Sequence, residues 1–289
     1  MQLRVEMKLI NNVITKIDEF PTLSSVYAKL NEVISDPNSS AEDVARVISQ
    51  DQAAAAKVLK AVNSPIYGFR KNISTISQSV VLLGFNEIKN LVLTLEIMDN
   101  FKETGNFKHL KPIELWKFSI ATGIISKIIA ESKGSKEVEK IFIFGILHGI
   151  GKLLFMKMLP DLYEKVIDYS FENKVSTRET EIKIIGMHNS TAGRLLADRW
   201  HLPREIKDII KYHLMGDMDG IYNENVAIVH TATIVADILN LGHSGEFKDR
   251  FVNVNSFNKL ELEENFFTKN LSRILEEYNE ATKSILNHY

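Results

Sequence analysis

The chain has 289 residues, 45% of them hydrophobic and 25% charged, with a formal net charge of −2. That length can bury a large core and lies near the size at which single cores split. The balance of charge, with lysines and glutamates interspersed, gives no electrostatic reason to expect nucleic acid or an anionic membrane as partner. The absence of cysteine excludes disulfides, thiolate catalysis and Cys-ligated metal sites.

The amino-terminal MQLRVEMKLINNV is too charged for a secretory leader. No segment is expected to reach the roughly 18 apolar residues that a membrane span needs. These readings point to a cytoplasmic protein without membrane insertion. Helical periodicity runs almost throughout, and period-two alternation is hard to find, so the expected fold is all-α. In NSSAEDVARVIS, Ser39 and Glu42 form a capping-box pattern that opens an amphipathic helix. Asp51 precedes QAAAAKVLKAV, a strong helix former whose alanines would admit a close neighbour. Pro65 and Gly68 break that helix. Thr75 and Gln78 make a second capping box, and Gly84 is the expected stop. The apolar NEIKNLVLTLEIM follows. The polar stretch Asp99 to Pro112 is the expected boundary between an amino-terminal helical subdomain, 1–107, and a second one, 108–240.

The second subdomain opens with IELWKFSIATGIISKIIAES and continues with FGILHGIGKLLF. The latter reads as one buried helix with His148 inside an apolar run beside Gly145, Gly149 and Gly151. Such glycines weaken a helix, so they are expected where a neighbouring helix comes close. His148 is expected to be a hydrogen-bonded core histidine. Lys152, four residues on, would share its face and snorkel to the surface. Pro203 suits the first turn of the helix that leads to His213, an imidazole placed favourably at the helix's negative end. Residues 241–289 form a carboxy-terminal extension. There Phe267, Leu271, Ile274, Tyr278, Ala281 and Ile285 make a narrow seam at alternating spacings of four and three. Packing of this seam on the chain's own bundle is the plainer expectation, and a surface for self-association or a partner is the alternative.

LHGIGK resembles the LHDIGK signature of the HD superfamily, helical proteins whose founding members are metal-dependent phosphohydrolases. More narrowly, the chain is similar to the HD-related output domain (HDOD) family of bacterial signalling proteins. FPTLSSVYAKL, AVNSPIYG from Ala61, TISQSVVLLGF from Thr75, Leu115–Trp116, Trp200 and Leu202–Pro203 fall in that family's order. The resemblance spans roughly residues 15 to 240, with residues 15–213 as the HDOD-like domain. It implies an HD-type helical bundle preceded by an amino-terminal helical subdomain.

The resemblance also implies a site. HD enzymes hold divalent ions with histidines and aspartates drawn from several helices, donors suited to such ions. The six positions fall here on Phe118, His148, Gly149, Asn189, His213 and Thr233. Only His148 and His213 keep a ligand side chain. Glycine at 149 cannot replace the carboxylate that bridges metal and activates water. His148, His188 and His213 could in principle make a three-histidine zinc site, but His188 is one residue off the inward position. In a helix, that offset turns a side chain by roughly 100°. Asp237 lies one turn beyond Thr233, too far along its helix to substitute.

The expectation is therefore a catalytically inactive HDOD-type regulatory module with no metal and no cofactor. It would act through unidentified signalling proteins in trans, as a homo-oligomer, or through a small ligand in the relict cavity, with His148, Lys152, His188 and His213 as candidate contacts. A metal-dependent phosphohydrolase of nucleotides or cyclic dinucleotides is the alternative. The Gly-Tyr-Pro signature of the cyclic-di-GMP phosphodiesterase branch is absent, since no proline follows Pro203. Nucleic-acid binding ranks last, for want of a basic stripe interleaved with aromatics.

Overall fold

The computed structural model describes residues 2–286 apart from 65–66, 70, 103, 106 and 248–250, and leaves out the side chains of 2–8 and 284–285. Pro65 therefore lies outside the described residues. Among those described, sixteen helices form and no strand; Met218 and Ile221 pair as an isolated bridge. The chain divides into two compact units, Met1–Pro21 with Glu103–Asn270 and Thr22–Lys102 with Leu271–Tyr289. The larger unit thus takes in the amino-terminal helix and most of the expected extension, which differs from the linear division at 107 and 240.

Helix α1 (Gln2–Glu19) joins the larger unit because Val13 and Ile17 are buried on one side of it. The chain that follows is pinned there as well. Trp200 Nε1 donates to the Pro21 carbonyl at 2.9 Å, and Arg199 donates to that of Phe20. A helix that reads as a leading strand of sequence is held by partners some 180 positions on, which periodicity cannot reveal.

The smaller unit contains α2 (Ser25–Ser35), α3 (Ala41–Ser49), α4 (Gln52–Val62), α5 (Ile76–Leu83) and α6 (Phe85–Asn100). The capping box of α3 forms one residue later than expected. Asp43 N–H donates to Ser40 Oγ, and Ser40 N–H donates to Asp43 Oδ2. SSAED offers both registers, and Ser39 is diverted because its hydroxyl donates to the Val33 carbonyl at 2.6 Å. Asp51 caps α4 by accepting from Ala53 and Ala54 N–H, as expected. Of the alanines, Ala55 packs against the core of this unit while Ala53 and Ala56 are exposed, and Val58 and Val62 face inward. Gly84, at φ +85°, ends α5 and leads into α6. The core of this unit is aliphatic, with Leu30, Val44, Ile48, Val58 and Ile88 fully buried.

The larger unit continues with α7 (Pro112–Ser132), α8 (Val138–Leu147), α9 (Ile150–Met158), α10 (Pro160–Asn173), α11 (Thr177–Ile185) and α12 (Asn189–Arg199). Then come α13 (Arg204–Tyr212), α14 (Glu224–Ile238) and α15 (Val254–Lys259). Helix α7 is buried almost throughout and packs on α8 and α14. Glycines set the closest helix approaches. A Cβ on Gly145 would lie 2.4 Å from Gly123 Cα, and one on Gly151 would lie 1.9 Å from the Asn189 carbonyl oxygen. Gly149 is different: its Cβ would meet only Ser119 Oγ, at 3.7 Å.

Two expectations for this region are corrected. Phe144 to Phe155 is not one helix, because His148 and Gly149 form a turn between α8 and α9. The run Val138–Met158 also has the length of a membrane span and holds an 18-residue window of mean hydropathy 1.6, although 83% of that window is buried within the fold. The last helix, α16 (Phe266–Leu286), starts in the larger unit and passes into the smaller. Ile274 and Ala281 are fully buried, and Phe267, Leu271 and Tyr278 are half-buried. The Ile285 side chain lies outside the described residues.

Candidate functional site

The turn between α8 and α9 carries His148 to the centre of the larger unit. Its Nδ1 lies 2.5 Å from the Gly145 carbonyl, an acceptor only, so the proton sits on Nδ1. The His213 ring stands edge-on to it with centroids 4.8 Å apart, and Phe118, from α7, approaches at 5.8 Å. All three side chains are buried. His213 ends α13, and its Nδ1 faces the carbonyls of Ile209 and Ile210 at 3.2 and 3.1 Å. The imidazole thus supplements the last turn of its helix, where the Ile209 carbonyl also accepts the His213 backbone N–H at 3.0 Å.

Asn189, the next of the six positions, belongs to a second cluster. Its N–H donates to Glu181 Oε2 at 2.8 Å, and its Nδ2 donates to both carboxylate oxygens at 2.8 and 3.0 Å. Tyr163 donates its hydroxyl to Glu181 Oε1 at 3.1 Å. Burial pushes the Glu181 carboxyl up to about 7, against the Lys152 charge and the Asn189 donors, which favour its ionised form. Burial and then the Glu181 charge push the Tyr163 phenol well above its usual value. Lys152 does not snorkel. The helix break redirects it, and its buried Nζ donates to the Ser244 carbonyl at 2.8 Å.

Sequence reasoning missed Glu181 and Tyr163. One signal was present, because Thr177, Glu181 and Ile185 recur every four residues and all three are buried on one face of α11. His230, on α14, was missed too. Its Nδ1 donates to the His213 carbonyl at 2.8 Å, and its Nε2 accepts the Asn253 N–H at 3.1 Å. Thr233 Oγ1 donates back to the His230 carbonyl at 2.7 Å.

His188 stands apart from His148 and His213. It is the N-cap of α12, in extended backbone, and lines a pocket of about 470 Å³ together with Arg178, Leu214 and Thr233. Arg178 Nε–H faces its Nε2 at 3.4 Å. Burial, with the positive charges of Arg178 and Lys211, holds this imidazole down at about 4, so it is neutral at pH 7. Asp237 lines a different depression, beside Asn240 and His243.

These residues do not fit a catalytic metal. Among the described residues, no three His, Asp or Glu side chains cluster so as to hold an ion. The Phe118 ring lies against His148, and Asn189 is committed to Glu181. What the arrangement does provide is a hydrogen-bonded polar core beside an open pocket, with His188 Nδ1 buried and without a hydrogen-bond partner.

The HDOD domain model matches residues 20–215. A crystal structure of an HDOD domain protein of unknown function from Geobacter sulfurreducens is 24% identical, covers 96% of this chain and 99% of its own, and superposes with a TM-score of 0.73. A "Putative phosphohydrolase" from Shewanella amazonensis SB2B is 21% identical over 95% of this chain and 98% of its own, with a TM-score of 0.74. At those identities the likeness shows the fold. An uncharacterized protein of Treponema pallidum (strain Nichols) is 26% identical over 71% of this chain, which spans 40% of that relative's length.

Proposed function

The chain belongs to the HDOD family, and from that premise we propose that it is a non-enzymatic regulatory module of bacterial signal transduction, acting through protein partners or a small ligand. One observation carries the reading: Phe118 is packed edge-on against His148 at the position where the resemblance implies a metal-ligating histidine. An aromatic ring offers no ligand to a divalent ion. Gly149 removes the bridging carboxylate, and Asn189 spends its amide on Glu181. Each loss alone would impair a metal centre, and their combination leaves His148 and His213 bound to backbone carbonyls.

Elemental analysis tests this directly. Protein purified without a histidine tag is incubated with zinc, manganese or iron and desalted. Retention below about a tenth of an equivalent is expected, against the near-stoichiometric loading of a built site. Full retention that disappears in His148→Ala would overturn the reading. It would then favour the second one, a metal-dependent phosphohydrolase, to which the description of the Shewanella protein lends support.

A further inference from the structure

The pocket of about 470 Å³ beside the relict site has the size of a small-molecule site, typically about 300–1,000 Å³. Arg178 reaches it from the first turn of α11. Its Nε–H faces His188 Nε2, and its Nη1 lies 2.9 Å from Met215 Sδ. The thioether is a weak acceptor, and the contact to the neutral imidazole, at 3.4 Å, is long. The other arginines with described side chains face stronger ones. Arg46 pairs with Asp43, Arg194 and Arg204 with Asp208, and Arg273 with Glu277, while Arg199 donates to the Phe20 carbonyl. Arg178 makes no ion pair among the described residues.

A guanidinium on a pocket wall that makes no ion pair among the described residues is an anchor for an oxyanion, whose geometry its planar donors match. Ser176 also lines the pocket, and its hydroxyl caps nothing in α11. Much of the remaining lining is apolar, from Ile182, Leu214 and Phe251. Phe251 keeps 57% of its surface exposed and can cover a flat group.

Two carboxylates restrict the ligand's charge. Glu246 lines the pocket while its Oε1 accepts the N–H groups of Thr177 and Phe247, and Glu179 is exposed at the edge. Their repulsion disfavours a polyanion such as a chain of phosphates. We propose that this pocket binds a small organic anion, one phosphate or carboxylate group on an apolar body, with Arg178 holding the oxyanion and Leu214 and Phe251 packing the body.

The inference deepens the regulatory reading and rests on it, and calorimetric titration of the full chain tests the two separately. Phenyl phosphate, benzoate, inorganic phosphate and benzyl alcohol are the probes. Saturable binding of phenyl phosphate or benzoate is expected, with benzyl alcohol silent; the tighter of the two anions identifies the oxyanion. Arg178→Gln should weaken binding at least about tenfold, the loss of one charged hydrogen-bonded contact. Ile182→Glu adds a carboxylate at a pocket position that is 49% exposed, so the fold is spared, and it should weaken binding comparably. Failure of every anion to saturate, or equal affinities in the wild type and both variants, would overturn the proposal. Inorganic phosphate binding as tightly as phenyl phosphate would overturn the apolar half of it. Release of phosphate from bound phenyl phosphate would sink the regulatory reading and leave the pocket assignment standing.

Discussion

Residues 22–102 bury mainly aliphatic side chains, with Met98, Phe101, Ser64, Ser79, Thr94 and the Tyr27 phenol, and among the described residues no carboxylate, imidazole or ammonium. Residues 103–270 bury His148, His213 and His230, the Glu181 carboxyl, and the ammonium groups of Lys127 and Lys152. A core of the first kind is governed by volume, so a substitution costs what its cavity or overlap costs. A core of the second kind must also satisfy each polar atom, because an unpaired buried group is expensive. It is therefore more sensitive to pH and to partner removal than the first, where the Glu96 carboxyl, pushed up by burial, is only partly covered. The difference falls on the unit in which the resemblance places a site.

The largest effect should come from the glycine contacts. Gly151→Ala puts a methyl group into the Asn189 carbonyl, and should destabilise the chain by about 3 kcal/mol or more in urea denaturation. A loss under about 1 kcal/mol would show that α9 and α12 separate easily and that the polar cluster between them is not held tightly.

The next effect is a pH dependence. The Glu181 carboxyl rises from 4.5 to about 7 on folding, so the folded state holds its proton more tightly than the unfolded chain does. Its contribution is complete below pH 4.5 and is lost as pH rises through 7, a change of at most about 3 kcal/mol. Glu181→Gln cannot ionise, and its denaturation midpoint should lose that slope between about pH 5 and 8. Identical slopes in variant and wild type would remove Glu181 from the account. In the aliphatic unit, Ile88→Val should cost about 0.5–1.5 kcal/mol by the same assay, and the cost should not change over that pH range.

Gly149→Ala should have the smallest effect. Gly149 has φ −95° and only Ser119 Oγ near its missing Cβ, so alanine should be neutral or stabilising, by up to about 1 kcal/mol. A loss as large as that of Gly151→Ala would mean that packing, rather than the absence of a carboxylate, explains the glycine at this position.

The helices were legible because they follow from periodicity and from capping residues. The placement of α1 was not, because it depends on Trp200 and Arg199 bonding to carbonyls far away in sequence. The register of the α3 cap was lost because two adjacent serines each had an acid three residues on, and only the Val33 carbonyl distinguished them. Glu181 escaped because an acid on a short helix ordinarily faces water. Only its four-residue spacing from Thr177 and Ile185 marked it as inward. Lys152 was misplaced because one turn at His148 and Gly149 undid the helical geometry assumed for it.

The position of α1 bears on how such a body can be moved between proteins. The family pattern begins at residue 20 and ends at 215. Val13 and Ile17 bury their side chains before it starts, and His230, which donates to the His213 carbonyl, comes after it ends. The stretch that inheritance leaves recognisable is thus shorter than the stretch that packs as one piece. A recombination event, or a transplant made in the laboratory, that followed the recognisable limits would strip the larger unit of a helix on one side and leave a buried carbonyl without its donor on the other.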